Sequence, residues 1–148
     1  MNNIIIIAYI ICVLLIFIPL FIYRNACPND GLYKQIDLPK KTFTYLNAIT
    51  YVLIGLSVFL VITSDNTRSG IYWLTLWGII SMQIVHYMYL YNLLYQKTVN
   101  KMLLIIYTML LSLVLLSSYY INPISGILLA PVLVWYSYLL IQFKNSRV

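Results

Sequence analysis

The chain has 148 residues, 63% hydrophobic and 8% charged, with a mean hydropathy of +0.91; soluble domains carry about a quarter charged residues, so an ordinary water-soluble fold is excluded. With nine Lys and Arg, three acidic residues and one His, chemistry that needs several acids, bases or metal ligands is nearly excluded as well. A net charge of +6 does not read as a nucleic-acid footprint, because such proteins cluster their cations with aromatics on one solvated face, whereas here the cations punctuate apolar runs.

Residues 1–23, 42–64, 69–96 and 102–143 contain no Asp, Glu, Lys or Arg. A helix crossing the hydrocarbon core of a bilayer needs about 20 apolar residues. The first run predicts one span over 4–23. It has no basic segment before it and is longer than the apolar core of a signal peptide, about 7 to 15 residues, so it reads as a mature helix. Cys12 falls inside this span and Cys27 beyond it; a bridge requires Cα atoms within about 7 Å, and both thiols are expected to be free.

Residues 24–42 form the one long connection. Asp30-Gly31 and Asp37-Leu38-Pro39 are turn-forming sequences, and either a compact cap over the bundle mouth or a loose linker satisfies them. The next two runs predict spans over 43–63 and 71–95. The last run, 102–143, is about twice the length of a single span and must turn back on itself. Asn122-Pro123 marks the turn, since Pro pushes its predecessor out of helical geometry and is suited to the first position of a new helix. The predicted spans are therefore 102–121 and 123–143. Pro131 inside the last one removes a backbone hydrogen bond to Ile127 and is expected to kink or loosen the helix.

Five spans put Arg24, Lys34, Lys40, Lys41, Lys97, Lys101, Lys144 and Arg147 on one side and Arg68 alone on the other. Cytosolic loops keep the Lys/Arg excess. The sequence therefore predicts an all-α integral membrane protein, a single domain of five transmembrane helices. Its N-terminus faces away from the cytosol, and its C-terminus and 24–42 loop face it. The cations read first as topology determinants.

Polar side chains within spans are costly in lipid and face a bundle interior or cavity. The set is Asn47, Gln83, His86, Asn92 and Gln142. Gln83, Tyr87, Tyr91 and Tyr95 recur every four residues, with His86 beside them. Such a stripe is either helix-packing glue or the wall of a pocket for a flat, mostly apolar ligand. Tyr72, Trp73, Trp77 and Tyr95 read as interfacial belt residues. His86 is the sole intramembrane proton-transfer group, with no carboxylate in any span to orient it. One His and two separated Cys do not make a metal site, so no catalytic residue, metal or required cofactor is expected.

Residues 121–138, INPISGILLAPVLVWYSY, resemble without gaps the start of the fifth helix of the translocator protein family (TspO/MBR, tryptophan-rich sensory proteins). That segment reads V-S-P-L-A-G followed by L-L-x-P-Y-L-x-W, and Pro123, Leu128, Leu129, Pro131, Leu133 and Trp135 match it. Phe43, Tyr51 and Leu53-Ile54-Gly55 look like the family's second-helix motif, and Gln83 fits the opening of its third-helix motif. Asn47 stands where the family has Trp, His86-Tyr87 where it has Leu-Asn, and Leu90 where another Trp is usual.

The resemblance implies a five-helix bundle, often a homodimer in the lipid bilayer, with a pocket under the first loop for a porphyrin or haem, or for a sterol. It does not imply a nucleic-acid partner. Carried over by position, Phe43 and Asn47 line the second-helix wall, Gln83, His86 and Tyr87 the third, Ile106 the fourth, and Trp135 and Leu139 the fifth. Porphyrin degradation in some members is linked to Trp at the positions of Asn47 and Trp135, and with one of the two replaced, binding is expected without catalysis. Val134, Tyr138 and Lys144 satisfy the loose spacing of a cholesterol-recognition pattern. The resemblance thus implies sensing, transport or sequestration of a tetrapyrrole or sterol. The alternative is a structural or assembly membrane protein with a degenerate pocket. Neither reading selects among a mitochondrial outer membrane, another cellular membrane and a bacterial envelope.

Overall fold

The computed structural model describes residues 2–25, 38–65, 69–96 and 98–143. Among them the chain is all-helical: α1 (Asn2–Asn25), α2 (Lys40–Ile62), α3 (Gly70–Leu94), α4 (Lys101–Ile121) and α5 (Pro123–Gln142). Four are long and apolar enough to cross a membrane: α1 over Asn3–Tyr23, and α2, α4 and α5 over their full lengths. Helix α3 is 25 residues long and free of Lys, Arg, Asp and Glu. Its Tyr, Trp, Gln, His and Asn side chains make it the least hydrocarbon-like of the five. The predicted cap over 24–42 lies largely outside the described residues, as do Cys27 and the cations Lys34, Arg68, Lys97, Lys144 and Arg147.

The helix ends follow from local chemistry. Ser69 Oγ accepts from Ile71 N at 3.2 Å and Asn100 Oδ1 from Leu103 N at 3.3 Å, each occupying a backbone donor that a helix start leaves unpaired. Asn122 serves two helices. Its backbone N–H closes α4 on Ser118 O at 2.8 Å, and its side chain caps α5 by accepting from Ile124 N at 3.1 Å. Pro123 occupies the first turn of α5, where its missing N–H costs nothing. Helix α5 continues as one element through Pro131 to Gln142, so the proline does not end the helix as a stronger break would.

Helices α4 and α5 form a tight antiparallel hairpin, α3 packs along α4, α2 along α5, and α1 along α2, whereas α1 and α3 barely touch. The bundle is a ring in the order α1, α2, α5, α4, α3, with its loosest seam between the last and the first. Small residues set the close approaches. A Cβ on Gly126 would stand 2.4 Å from Tyr119 Cβ and 2.7 Å from its Cα, and one on Gly55 would stand 2.8 Å from Ile16 Cγ1. Ser57 and Ser125 join α2 to α5 in the interior, with hydroxyls 2.7 Å apart and each bonded to the other's carbonyl, at 3.1 and 3.0 Å.

Candidate functional site

Two groups of predicted residues converge in the half of the bundle nearest the connection between α1 and α2. On the α2–α5 side, Phe43, Asn47, Trp135 and Leu139 are all buried. The Trp135 indole donates from Nε1 to Asn47 Oδ1 at 3.0 Å. Its ring lies 5.6 Å from that of Phe43 and stacks on Tyr138 at 5.8 Å, and Tyr23 of α1 reaches Phe43 at 6.1 Å. Asn47, at the position where the family pattern carries Trp, thus supplies the acceptor for the remaining indole. A groove of about 450 Å³ runs outside this group, lined by Leu38, Leu46, Pro131, Val134, Trp135 and Tyr138.

At the centre stands His86, 1% exposed. Its ring is packed by Tyr107 at 5.0 Å, Tyr51 at 5.5 Å, Tyr136 at 5.8 Å, Tyr87 at 6.1 Å and Tyr89 at 6.4 Å. Helices α2, α3, α4 and α5 each give at least one of these rings. Nδ1 lies 3.4 Å from the Tyr136 hydroxyl. His86 Nε2, Tyr89 Oη and Tyr107 Oη are buried with no hydrogen-bond partner. The Tyr107 hydroxyl lies beside that of Tyr136 without a bond of ordinary geometry. An unpaired buried polar group costs about 1–3 kcal/mol, so three of them would claim much of the roughly 5–15 kcal/mol by which proteins are stable. Gln83, one turn earlier on α3, is buried as well.

A cavity of about 620 Å³ lies in the loose seam between α1 and α3, lined by Ile18, Ile22, Tyr87, Met88, Leu90, Tyr91, Asn92 and Tyr95. Tyr91 and Tyr95 stack on each other at 5.4 Å along it. The walls are apolar, with phenol hydroxyls and the Asn92 amide as the polar groups. A further groove of about 480 Å³ on the outer face of α3 and α4 includes Trp77, Gly78, Ser81 and Ser117 and none of the predicted site residues.

Three expectations need correction. Ile106 does not line the interior: it is 42% exposed, while Tyr107 is fully buried. One residue is 100° around a helix, so a register error of one exchanges wall for surface. The stripe Gln83, Tyr87, Tyr91, Tyr95 does not hold one face either. Gln83 is buried, Tyr87 intermediate, and Tyr91 and Tyr95 are 55% and 60% exposed. Four residues turn about 400° at 3.6 per turn, and the stripe drifts out of the core into the α1–α3 cleft. Tyr72 is not a belt residue but is buried, its hydroxyl donating to Ile62 O at 3.4 Å; Trp73 and Trp77 are exposed on the outer surface.

The residues missed by the sequence reading are Tyr89, Tyr107 and Tyr136 and the role of Tyr51. For Tyr51, Tyr107 and Tyr136 the signal was a tyrosine well inside its span, away from the interfaces where amphipathic rings settle; Tyr89, five residues from the end of α3, carried none. Among the described residues no group of three His, Cys, Asp or Glu side chains stands close enough to hold a metal ion. Among the described residues the chain is thus all-helical, with four helices long and apolar enough to cross a membrane, consistent with a membrane protein. No protein-family model, curated protein or solved structure matches it.

Proposed function

We propose that this chain is a five-span, translocator-type membrane protein that takes a flat, mostly apolar ligand, a porphyrin or a sterol, into the cleft between α1 and α3 and serves its sensing, transport or sequestration. The observation that carries this reading is the cleft itself. Its volume of about 620 Å³ falls within the range of small-molecule sites, about 300–1,000 Å³, and stacked Tyr91 and Tyr95 offer aromatic surface to a planar guest. Tyr87, implied as a ligand contact by the resemblance, lines it. The seam is loose because α1 and α3 share few contacts, so a ligand enters without separating helices that are packed on each other.

Helix α3 serves as the fifth span in this reading. It is 25 residues long, lies between α4 and α1 in the ring, and turns Gln83 and His86 inward rather than toward lipid. The eight-to-one division of Lys and Arg between the two sides then favours a cytosolic C-terminus and an external N-terminus. The packing of Phe43, Asn47 and Trp135 on one another favours a second reading, an assembly protein whose family pocket has closed.

The test is a titration of detergent-purified protein with protoporphyrin IX, read in the Soret band, with a sterol as competitor. Saturable micromolar binding that Ile22→Trp weakens by at least fivefold, and Trp135→Phe leaves within twofold, supports the cleft. No saturable binding of either ligand favours the assembly reading.

A further inference from the structure

We propose that the centre of the bundle binds a single water molecule, held by His86 Nε2 and by the hydroxyls of Tyr89 and Tyr107. All three atoms are buried without a protein hydrogen bond of ordinary geometry, Tyr107 Oη lying beside the Tyr136 hydroxyl, and their residues are 1%, 3% and 0% exposed. Both phenol rings pack on the imidazole, with Tyr107 and Tyr89 at 5.0 and 6.4 Å between ring centres. Buried waters characteristically make two to four hydrogen bonds to otherwise unpaired groups.

In the proposed site each bond has a direction. The acidic residues are Asp30, Asp37 and Asp65, and the five described helices contain none of them, so no carboxylate in the surrounding helices holds an imidazolium. A neutral imidazole has one N–H donor and one acceptor nitrogen. In the proposed site Tyr136 Oη, 3.4 Å away, donates to Nδ1, and the imidazole proton sits on Nε2, which has no hydrogen-bond partner in the protein. A water accepts that proton, donates to one phenol oxygen and accepts from the other. Phenol hydroxyls both donate and accept, which suits a guest that must do the same. A charged guest is disfavoured because no Lys, Arg, Asp or Glu lies on α3 or within the middle turns of α2, α4 and α5. The site is separate from the α1–α3 cleft and does not depend on the ligand proposed there.

His86 is the one histidine of the chain, so labelling the full-length protein with [15N]His yields a single imidazole spectrum. The expected result in detergent is the Nε2-protonated tautomer, with a magnetisation-transfer peak from its proton to water. That peak is lost in Tyr107→Phe and retained in Tyr87→Phe, whose ring also touches His86. The opposite tautomer, an Nε2 proton with no contact to water, or a peak indifferent to Tyr107→Phe overturns the proposal. Thermal unfolding gives an independent reading. Hydroxyls bonded to a water make Tyr89→Phe and Tyr107→Phe lower Tm, whereas deleting an unpaired buried hydroxyl raises it; a rise in both variants contradicts the bound water.

Discussion

The bond from Trp135 Nε1 to Asn47 Oδ1, 3.0 Å long and buried, ties α5 to α2 and sets the plane of the indole between Phe43 and Tyr138. Asn47→Leu keeps the branched outline of the side chain, with bulkier ends, and removes the acceptor, leaving an indole N–H unpaired. The handicap of an unpaired buried donor is about 1–3 kcal/mol, whereas interhelical side-chain bonds in membrane proteins average about 0.6 and reach about 1.7 kcal/mol, because the unfolded helices find other partners in the bilayer. The expected loss is therefore about 1 kcal/mol. Trp135→Phe loses more, since it also gives up ring contacts with Phe43 and Tyr138, so neither single variant isolates the bond. The double-mutant cycle does: Asn47→Leu with Trp135→Phe should be about 1 kcal/mol less destabilised than the sum of the single changes. Unfolding in mixed detergent micelles, followed by helical circular dichroism because half the cycle lacks Trp135, measures it. Independent sites add within about 0.3–0.5 kcal/mol, so additivity within that margin would refute the claim that Asn47 holds the indole.

Gly126→Ala should destabilise the α4–α5 hairpin by about 1–3 kcal/mol, because the new methyl would meet the backbone of Tyr119 at 2.7 Å; unchanged unfolding would show that the helices can separate freely there. Asn122→Ala removes the side-chain cap of α5 and should cost about 1 kcal/mol in the same assay, with no loss meaning that Pro123 alone sets the turn. Cysteines introduced singly into a variant without Cys12 and Cys27 report topology: in right-side-out vesicles a membrane-impermeant maleimide should label position 68 and spare position 41 until the membrane is opened. The reverse pattern would invert the proposed orientation, and labelling of both positions on one side would remove α2 as a span.

The helices were legible because charge in lipid is expensive and the chain marks its exits with it, except at the N-terminus and at the uncharged Asn122-Pro123 turn. Predicted spans 4–23, 43–63, 71–95, 102–121 and 123–143 fall within three residues of the helix ends, and Asn122-Pro123 performs the turn its chemistry requires. The facing of each helix was much less legible. In a soluble helix a polar stripe identifies the outer side, but a lipid-facing side is as apolar as a core, so Ile106 and Tyr107 look alike until α3 and α5 are in place around α4. Asn47 and Phe43 both contact Trp135, with Leu139 buried one turn further along α5, but the hydrogen bond within the group lay beyond the resemblance, since Asn47 departs from the family pattern. The tyrosine centre around His86 was hidden for a related reason. Its rings come from four helices, and nothing in the spacing within any one of them reveals the ring order that brings them together.

Where a ligand lodges tests the functional account most directly. A photoreactive porphyrin or sterol analogue, crosslinked to the wild-type protein and mapped by peptide mass spectrometry, should mark α1 near Ile18 and Ile22 and α3 between Tyr87 and Tyr95, and an excess of unmodified ligand should suppress that labelling. Saturable labelling confined to Leu46, Val134 and Tyr138 beside Trp135, or labelling spread evenly over the lipid-facing surface, would contradict the cleft as the binding site.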